Sequence, residues 1–436
     1  MKFYSTNNKD HKVSLREAVM QGLAPDNGLY MPESIPVLPT TFFESIRQKT
    51  FPEIAFEVAH HLLGEDIPEL ELKRIVSHTI KFEAPLVEIE NDLYALELFH
   101  GPTMAFKDFG ARFMSQLLGY FAKQQDRDIV ILVATSGDTG SAVANGFLGV
   151  AGTQVVVLYP SGKVSEVQEK QFTTLNQNIT ALEIDGTFDD CQRLVKQAFL
   201  DDELRNSLFL TSANSINIAR LIPQSFYYFW AYAQLKNRRP LVFSIPSGNF
   251  GNLTGGLFAK RMGLPVEKFI AATNLNDIVP AYLRSRIFAP RPSITTISNA
   301  MDVGNPSNFS RMLDLFANDI EALQNELVGY SFSDDETREA MKEVSLSTGY
   351  VMDPHGAVGY LGLKQYLQKQ RRDVVGVFLE TAHPGKFINV VEETLEKKIL
   401  LPAPLQKFMA GKKLSIPMSA DFSNFKSYLL QSLKGN

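Results

Sequence analysis

From residue 129 onward the chain alternates short apolar runs with amphipathic stretches, and that alternation leaves few folds open. Ile129–Ala134 is six apolar residues, most of them β-branched, the composition of a strand buried on both faces. A helical stretch is expected from about Gly140. Residues 154–159 repeat the strand signal, and 164–175 read as a polar-faced helix. Residues 179–184, 208–211, 241–245, 269–273 and 374–379 are expected to be further strands. Helices are expected at 189–199 and 216–235, the second long and rich in aromatics. Strands and helices alternating in this way predict an α/β fold with parallel or mostly parallel sheets covered by helices. The first 85 residues read differently, as mainly helical with proline-rich connections at Pro32, Pro36 and Pro39. Residues 285–310 are loop-rich.

A length of 436 residues suggests two or three domains. The net charge of −5 is spread along the chain, without the clustered Lys and Arg that a nucleic-acid partner requires. The single cysteine, Cys191, excludes an intramolecular disulfide framework and fits a reducing cytosol. Its helical spacing with Leu194, Val195, Ala198 and Phe199 makes it a core residue rather than a reactive thiol. The N-terminus has no apolar signal-peptide core and no apolar run is long enough to span a membrane, so a soluble cytoplasmic protein with no membrane partner is expected. Seven histidines are scattered, with no spacing that suggests a metal site.

Four segments carry chemistry. Lys107 lies in H-G-P-T-M-A-F-K-D-F-G-A-R-F, between Phe106 and Phe109. Aromatic surroundings disfavour an ammonium ion, as a nucleophilic amine requires. A structural lysine paired with Asp108 is the plain alternative. T-S-G-D-T-G-S-A, residues 135–142, follows the Ile129–Ala134 strand and opens a helix. Free amides at such a helix start, with Ser136 and Thr139, suit a carboxylate, although Ser136 and Asp138 are also ordinary capping residues. S-I-P-S-G-N-F-G-N-L-T-G-G, residues 244–256, again lies between strand and helix. It lacks the lysine of a Walker A loop and the spacing of a dinucleotide fold, so a phosphate monoester held by amides fits better. F-L-E-T-A-H-P-G-K-F, residues 378–387, would place the Thr381 hydroxyl at the carboxyl end of a strand, while His383 reads as a turn residue and Lys386 as a surface one. D-P-H-G-A, residues 353–357, reads as a helix start with Asp353 as its cap. An activated lysine, a phosphate cradle, a hydroxyl for a pyridine nitrogen and a carboxylate site together match pyridoxal phosphate with an amino-acid substrate.

With V-S-L-R-E-A-V near the start and S-A-N-S-I-N-I-A-R at 212–220, these motifs resemble the threonine synthase family over nearly the whole chain. That family belongs to the fold type II, tryptophan-synthase-β-like pyridoxal phosphate enzymes. The resemblance implies a two-lobed fold. It would have an N-terminal region at 1–85, a large cofactor domain from 86–112 and 214–436, and a small mobile domain at 113–213. It implies pyridoxal 5'-phosphate bound through Lys107 as the Schiff-base lysine. Gly248, Asn249, Phe250, Gly251 and Asn252 would form the phosphate loop, and Thr381 would partner the ring nitrogen. Ser136, Gly137, Asp138 and Thr139 would form the substrate loop, the role of Asp138 staying open because an ionised Asp cannot donate. For the phosphate of O-phospho-L-homoserine the candidates are Lys163, Ser215, Asn217 and Arg220. The implied reaction gives L-threonine and phosphate by γ-elimination and β-hydration. A serine/threonine lyase and a non-catalytic phospho-ligand-binding paralogue are the alternatives. Monomer and homodimer both stay open.

Overall fold

The computed structural model describes residues 1–123, 125–236, 239–370 and 373–433, which group into two compact units. One comprises residues 31–106 and 221–400 together with Met1. The other comprises 2–30, 107–220 and the chain from 401 onward.

The first unit is built on a six-stranded sheet. Its order is Leu327–Ser331, Val266–Thr273, Leu241–Pro246, Val375–Glu380, Leu93–Glu97 and Leu86–Glu90. All neighbours run parallel except the last pair, an antiparallel hairpin. The two central strands, Leu241–Pro246 and Val375–Glu380, are buried at every position, as unbroken apolar runs require. Helix Pro354–Gln370 covers one face, setting Ala357, Tyr360 and Leu363 in a core with Val242, Ile270 and Phe378. Helix Phe51–Leu63 opens with a Thr50–Glu53 capping box, and Phe51 stacks on Trp230 with ring centroids 5.3 Å apart.

The second unit holds an all-parallel sheet of five strands. Its order is Ile416–Ser419, Ile179–Asp185, Thr153–Pro160, Ile129–Ala134 and Phe209–Ser212. Cys191 lies in its apolar core with Leu194, Val195 and Ala198, and burial pushes the thiol up to about 12.

Three expectations need correction. The N-terminal region carries helices Leu15–Gln21, Thr40–Ser45, Phe51–Leu63 and Glu69–Thr79, as expected, but it opens on strands and is not one piece. Strands Lys2–Ser5 and Asn8–Ser14 form an antiparallel hairpin that buries Phe3 and Val13, and residues 2–30 group with the second unit while 31–85 group with the first. The C-terminal segment does not join the larger unit. Ile416–Ser419 pairs with residues 182–185, and Phe425 and Leu429 of helix Phe422–Ser432 complete the core around Cys191. The long helix at 216–235 is broken around Pro223 into Ile218–Leu221, a 3-10 turn Ile222–Ser225 and Phe226–Gln234, because proline lacks the amide that continues the ladder. No helix among the described residues is long and apolar enough to cross a membrane.

Candidate active site

In the first unit, the buried strand Leu241–Pro246 runs out through residues 247–250 into helix Gly251–Arg261. A Cβ at Gly248 would stand 2.6 Å from the Met301 Cα, so only glycine lets the turn lie against that backbone. Phe250, the N-cap residue, takes the left-handed conformation (φ 59°, ψ 18°) and makes no cap hydrogen bond of its own, while Asn252 Oδ1 accepts from the Leu253 amide at 3.0 Å. A helix's first turn presents N–H groups and the positive end of the dipole to an anion. The polar side chains hold the loop in shape. Ser247 Oγ donates to Asn252 Oδ1 at 2.8 Å, and Asn252 Nδ2 donates to the Pro246 carbonyl at 2.9 Å. Asn249 Oδ1 accepts from the Ser307 amide at 2.6 Å.

Thr381 is buried directly after strand Val375–Glu380. Its carbonyl accepts from the Phe106 amide at 2.8 Å, and the His383 amide donates to the Met104 carbonyl at 3.0 Å. Lys386, expected at the surface, is fully buried and donates to the Thr103 carbonyl at 2.8 Å. The ammonium is carried inward because the 3-10 turn Pro384–Phe387 folds back against residues 103–106. His383 caps that turn, its Nδ1 accepting from the Gly385 amide at 3.0 Å.

Sequence reasoning missed the buried acid that precedes Thr381. Glu380 is fully buried, neither of its oxygens meets a donor, and burial followed by the Asp353 carboxylate raises it well above the usual range. The available signal was an acid ending the otherwise apolar run V-G-V-F-L-E. Asp353 starts helix Pro354–Gln370 as expected, accepting from the His355 amide at 2.8 Å and the Gly356 amide at 3.3 Å.

In the second unit, Lys107 is the first residue of helix Lys107–Ala122 and is half-buried, with Asp108 and Phe109 buried beside it. The 135–142 segment starts helix Asp138–Phe147, whose N-cap residue Gly137 has no side chain to cap it. Thr135 Oγ1 accepts from the amides of Gly137 and Gly140 at 2.9 and 2.8 Å. Gly137 has φ 138°, and a Cβ there would lie 2.5 Å from the Gln168 side chain. Gln168, which the sequence did not single out, donates to Asp138 Oδ1 at 2.8 Å. The open role of Asp138 is thereby narrowed: its carboxylate is the acceptor that ties the loop to helix Glu166–Thr173.

The four candidates for a substrate phosphate are not equivalent. Ser215 is half-buried in the turn after strand Phe209–Ser212. Asn217 is fully buried, and its Nδ2 donates to the carbonyls of Val19 and Ser212 while its Oδ1 accepts from the Ala219 amide. With both amide hydrogens engaged, Asn217 acts as an internal clamp and has no donor for a ligand. Lys163 is exposed on the turn after Thr153–Pro160. Arg220 is buried and donates from Nη1 to the Ala213 carbonyl at 2.5 Å. Burial lowers Arg220 to about 10 while the Asp108 charge works against the shift.

Residues 78–380 match the family model of pyridoxal-phosphate dependent enzymes. Residues 2–80 match the threonine synthase N terminus and 356–429 the threonine synthase C-terminal model. The threonine synthase of Escherichia coli K12 is 45% identical over 433 residues, covering 99% of each chain. The chain belongs to the threonine synthase family. Threonine synthase from Haemophilus influenzae is 46% identical over 434 residues, covering 99% of this chain and 100% of its own. Among solved structures, threonine synthase from E. coli superimposes with a TM-score of 0.91 at 44% identity, covering 99% of this chain and 100% of that one. A PLP-bound threonine synthase from Brucella melitensis gives 0.93 at 34% identity, covering 100% of both chains. The fold is therefore that of the fold type II enzymes, and the cofactor of the family is pyridoxal 5'-phosphate.

Proposed function

We propose that this chain converts O-phospho-L-homoserine and water to L-threonine and phosphate in the cytoplasm. The full-length match to threonine synthases carries the reading, and the local geometry supports the division of labour.

The residues present fit pyridoxal phosphate. Its phosphate would lie on the first turn after Phe250, where Gly248, Asn249, Phe250, Gly251 and Asn252 shape an amide-lined loop. The Thr381 hydroxyl would meet the ring nitrogen, and Lys107 would hold the aldehyde carbon covalently. When bound, the cofactor supplies an electron sink for carbanions on the substrate. A neutral Thr381 hydroxyl would hold the ring nitrogen without giving it a charge, which would moderate that sink and favour chemistry beyond Cα.

Lys107 is the proton carrier. With its amine free, Lys107 would remove the Cα proton and then a Cβ proton, allowing phosphate to depart from Cγ. Proton return to Cγ, addition of the water hydroxyl at Cβ and return of a proton to Cα would complete threonine. Ser136, Gly137 and Thr139 would bind the substrate carboxylate at the start of helix Asp138–Phe147. Asp138, engaged by Gln168, holds the shape of this loop.

Turnover of O-phospho-L-homoserine, followed as threonine formed and phosphate released in equal amounts, tests the reading. A protein that deaminates serine or threonine but leaves O-phospho-L-homoserine intact would be a lyase instead.

A further inference from the structure

Beneath Thr381, the reaction leaves a buried cluster of acids and a histidine unused. Glu380 is the last residue of its strand and pairs in register with Glu97. Its carboxyl lies directly on Gly356, where a Cβ would come within 2.2 Å of it. The Asp353 carboxyl lies at the same residue, its Oδ2 accepting from the Gly356 amide at 3.3 Å, and its charge bears on Glu380. Two ionised carboxylates are both acceptors and cannot bond each other; the contact closes only when one carries a proton.

The surroundings decide which one. Asp353 accepts from the His355 and Gly356 amides and from His355 Nδ1 at 2.5 Å. Although burial opposes it, His355 and these hydrogen bonds hold Asp353 below the ordinary carboxylate range. Burial, Asp353 and then Glu97 oppose a charge on Glu380, and only the backbone of Asp353, the smallest influence, works the other way. Glu97 is itself engaged by Tyr350 Oη at 2.9 Å and His100 Nε2 at 2.7 Å.

The far side of His355 leads to the phosphate loop. Its Nε2 accepts from the Ala300 amide at 3.2 Å, so the ring hydrogen sits on Nδ1, facing Asp353. Ala300 belongs to the 3-10 turn Asn299–Met301, and the Met301 backbone is what presses on Gly248. Asp302, the next acid along and the other charge influencing this side, is engaged by Thr296, Asn274 and Asn276.

We infer that Glu380 is a neutral carboxylic acid that donates its proton to Asp353. Asp353 orients His355, His355 holds the 299–301 turn behind Gly248, and these three are positioning residues for the cofactor phosphate. The last step rests on the cofactor reading above; the protonation of Glu380 does not.

Two measurements on the full chain test it. Infrared difference spectra of the cofactor-free protein at neutral pH compare the parent with Glu380→Gln. A protonated-carboxyl stretch should vanish in the variant, and loss of only ionised-carboxylate bands would overturn the assignment. Titration with pyridoxal phosphate, followed by absorbance, then compares the His355 variants. His355→Ala leaves the Ala300 amide without its acceptor and should weaken binding about tenfold. His355→Gln retains an acceptor at that reach and should recover most of the loss. Should the alanine variant not fold, His355→Asn takes its place, since it reaches Asp353 but not Ala300. Parent-like affinity in the variants lacking the acceptor would overturn the positioning role. A parent that binds no pyridoxal phosphate would overturn the cofactor reading, and the positioning role with it, while leaving the infrared result standing.

Discussion

The Phe106 amide donates to the Thr381 carbonyl at 2.8 Å, and Ala105 forms an antiparallel bridge with Ala382. The residue immediately before Lys107 is thus bonded to the residue proposed to meet the pyridine nitrogen. The approach is built from H-G-P-T-M. The Met104 amide donates to the Gly101 carbonyl at 3.0 Å, with Met104 itself left-handed at φ 56°. Lys386 closes the turn from below through the Thr103 carbonyl. Such a clamp fixes where the peptide leading to Lys107 runs, and a nucleophilic amine depends on that positioning.

The first prediction follows from it. Borohydride reduction of the cofactor-loaded protein should leave the cofactor attached to Lys107 in peptide maps. Lys107→Ala should lose several orders of magnitude in turnover while unfolding in denaturant as the parent does. Cofactor recovered on another lysine would refute the assignment.

Gly248→Ala should damage cofactor binding more than stability. The added methyl meets the Met301 backbone at 2.6 Å, so the loop must shift, at a cost of roughly 1–3 kcal/mol typical of overpacking. The loop is the proposed phosphate site, so pyridoxal phosphate affinity should fall by at least about tenfold. An affinity within about threefold of the parent would show that the loop tolerates displacement.

Lys163 and Arg220 should part company. Lys163 is exposed, and Lys163→Ala is expected to keep kcat/KM for O-phospho-L-homoserine within about threefold. Arg220 is packed against Gly110, whose Cβ would lie 2.8 Å from Nε, and it offsets the buried Asp108. Arg220→Ala should therefore lose about 3–5 kcal/mol of stability, as when one partner of a buried pair is removed, measured by urea unfolding. A stable Arg220→Ala protein with KM raised strongly would return Arg220 to the substrate.

The strands of both sheets were largely legible because buried parallel strands read as unbroken apolar runs. Ile129–Ala134 keeps the bounds the sequence suggests, and others moved by one to three residues. The hairpin Leu86–Glu90 and Leu93–Glu97 was missed, since an edge pair with alternating glutamates carries no such run. Strand Ile416–Ser419 was missed for a related reason: it is short, mostly exposed and contains Pro417. The turns at Gly137 and Gly248 were legible as close backbone approaches, because such an approach demands glycine locally. Glu380, Gln168 and Lys386 were not legible, because each is defined by a partner far away in sequence. A buried polar group is recognised by what surrounds it, and sequence spacing does not report that.

The last prediction concerns acid stability. Burial pushes His383 down to about 4 from an ordinary 6.5, with Glu97 opposing and the neighbouring His100 adding to the shift. Its ring stands edge-on to Phe99 with centroids 5.3 Å apart, and Nδ1 must stay unprotonated to accept from the Gly385 amide. Above pH 6.5 the imidazole is neutral in the folded and unfolded states, so its contribution to stability is fully present there. Between pH 6.5 and about 4 the unfolded chain takes up a proton that the folded one refuses, so stability falls with falling pH. A shift of this size corresponds to about 3 kcal/mol. His383→Asn keeps a capping acceptor but does not titrate. Urea unfolding at intervals from pH 7 down to 4 should therefore show a shallower acid-side loss in the variant, by about that amount at the low end. Identical slopes in the two proteins would mean that His383 titrates in the folded state as it does in the unfolded one.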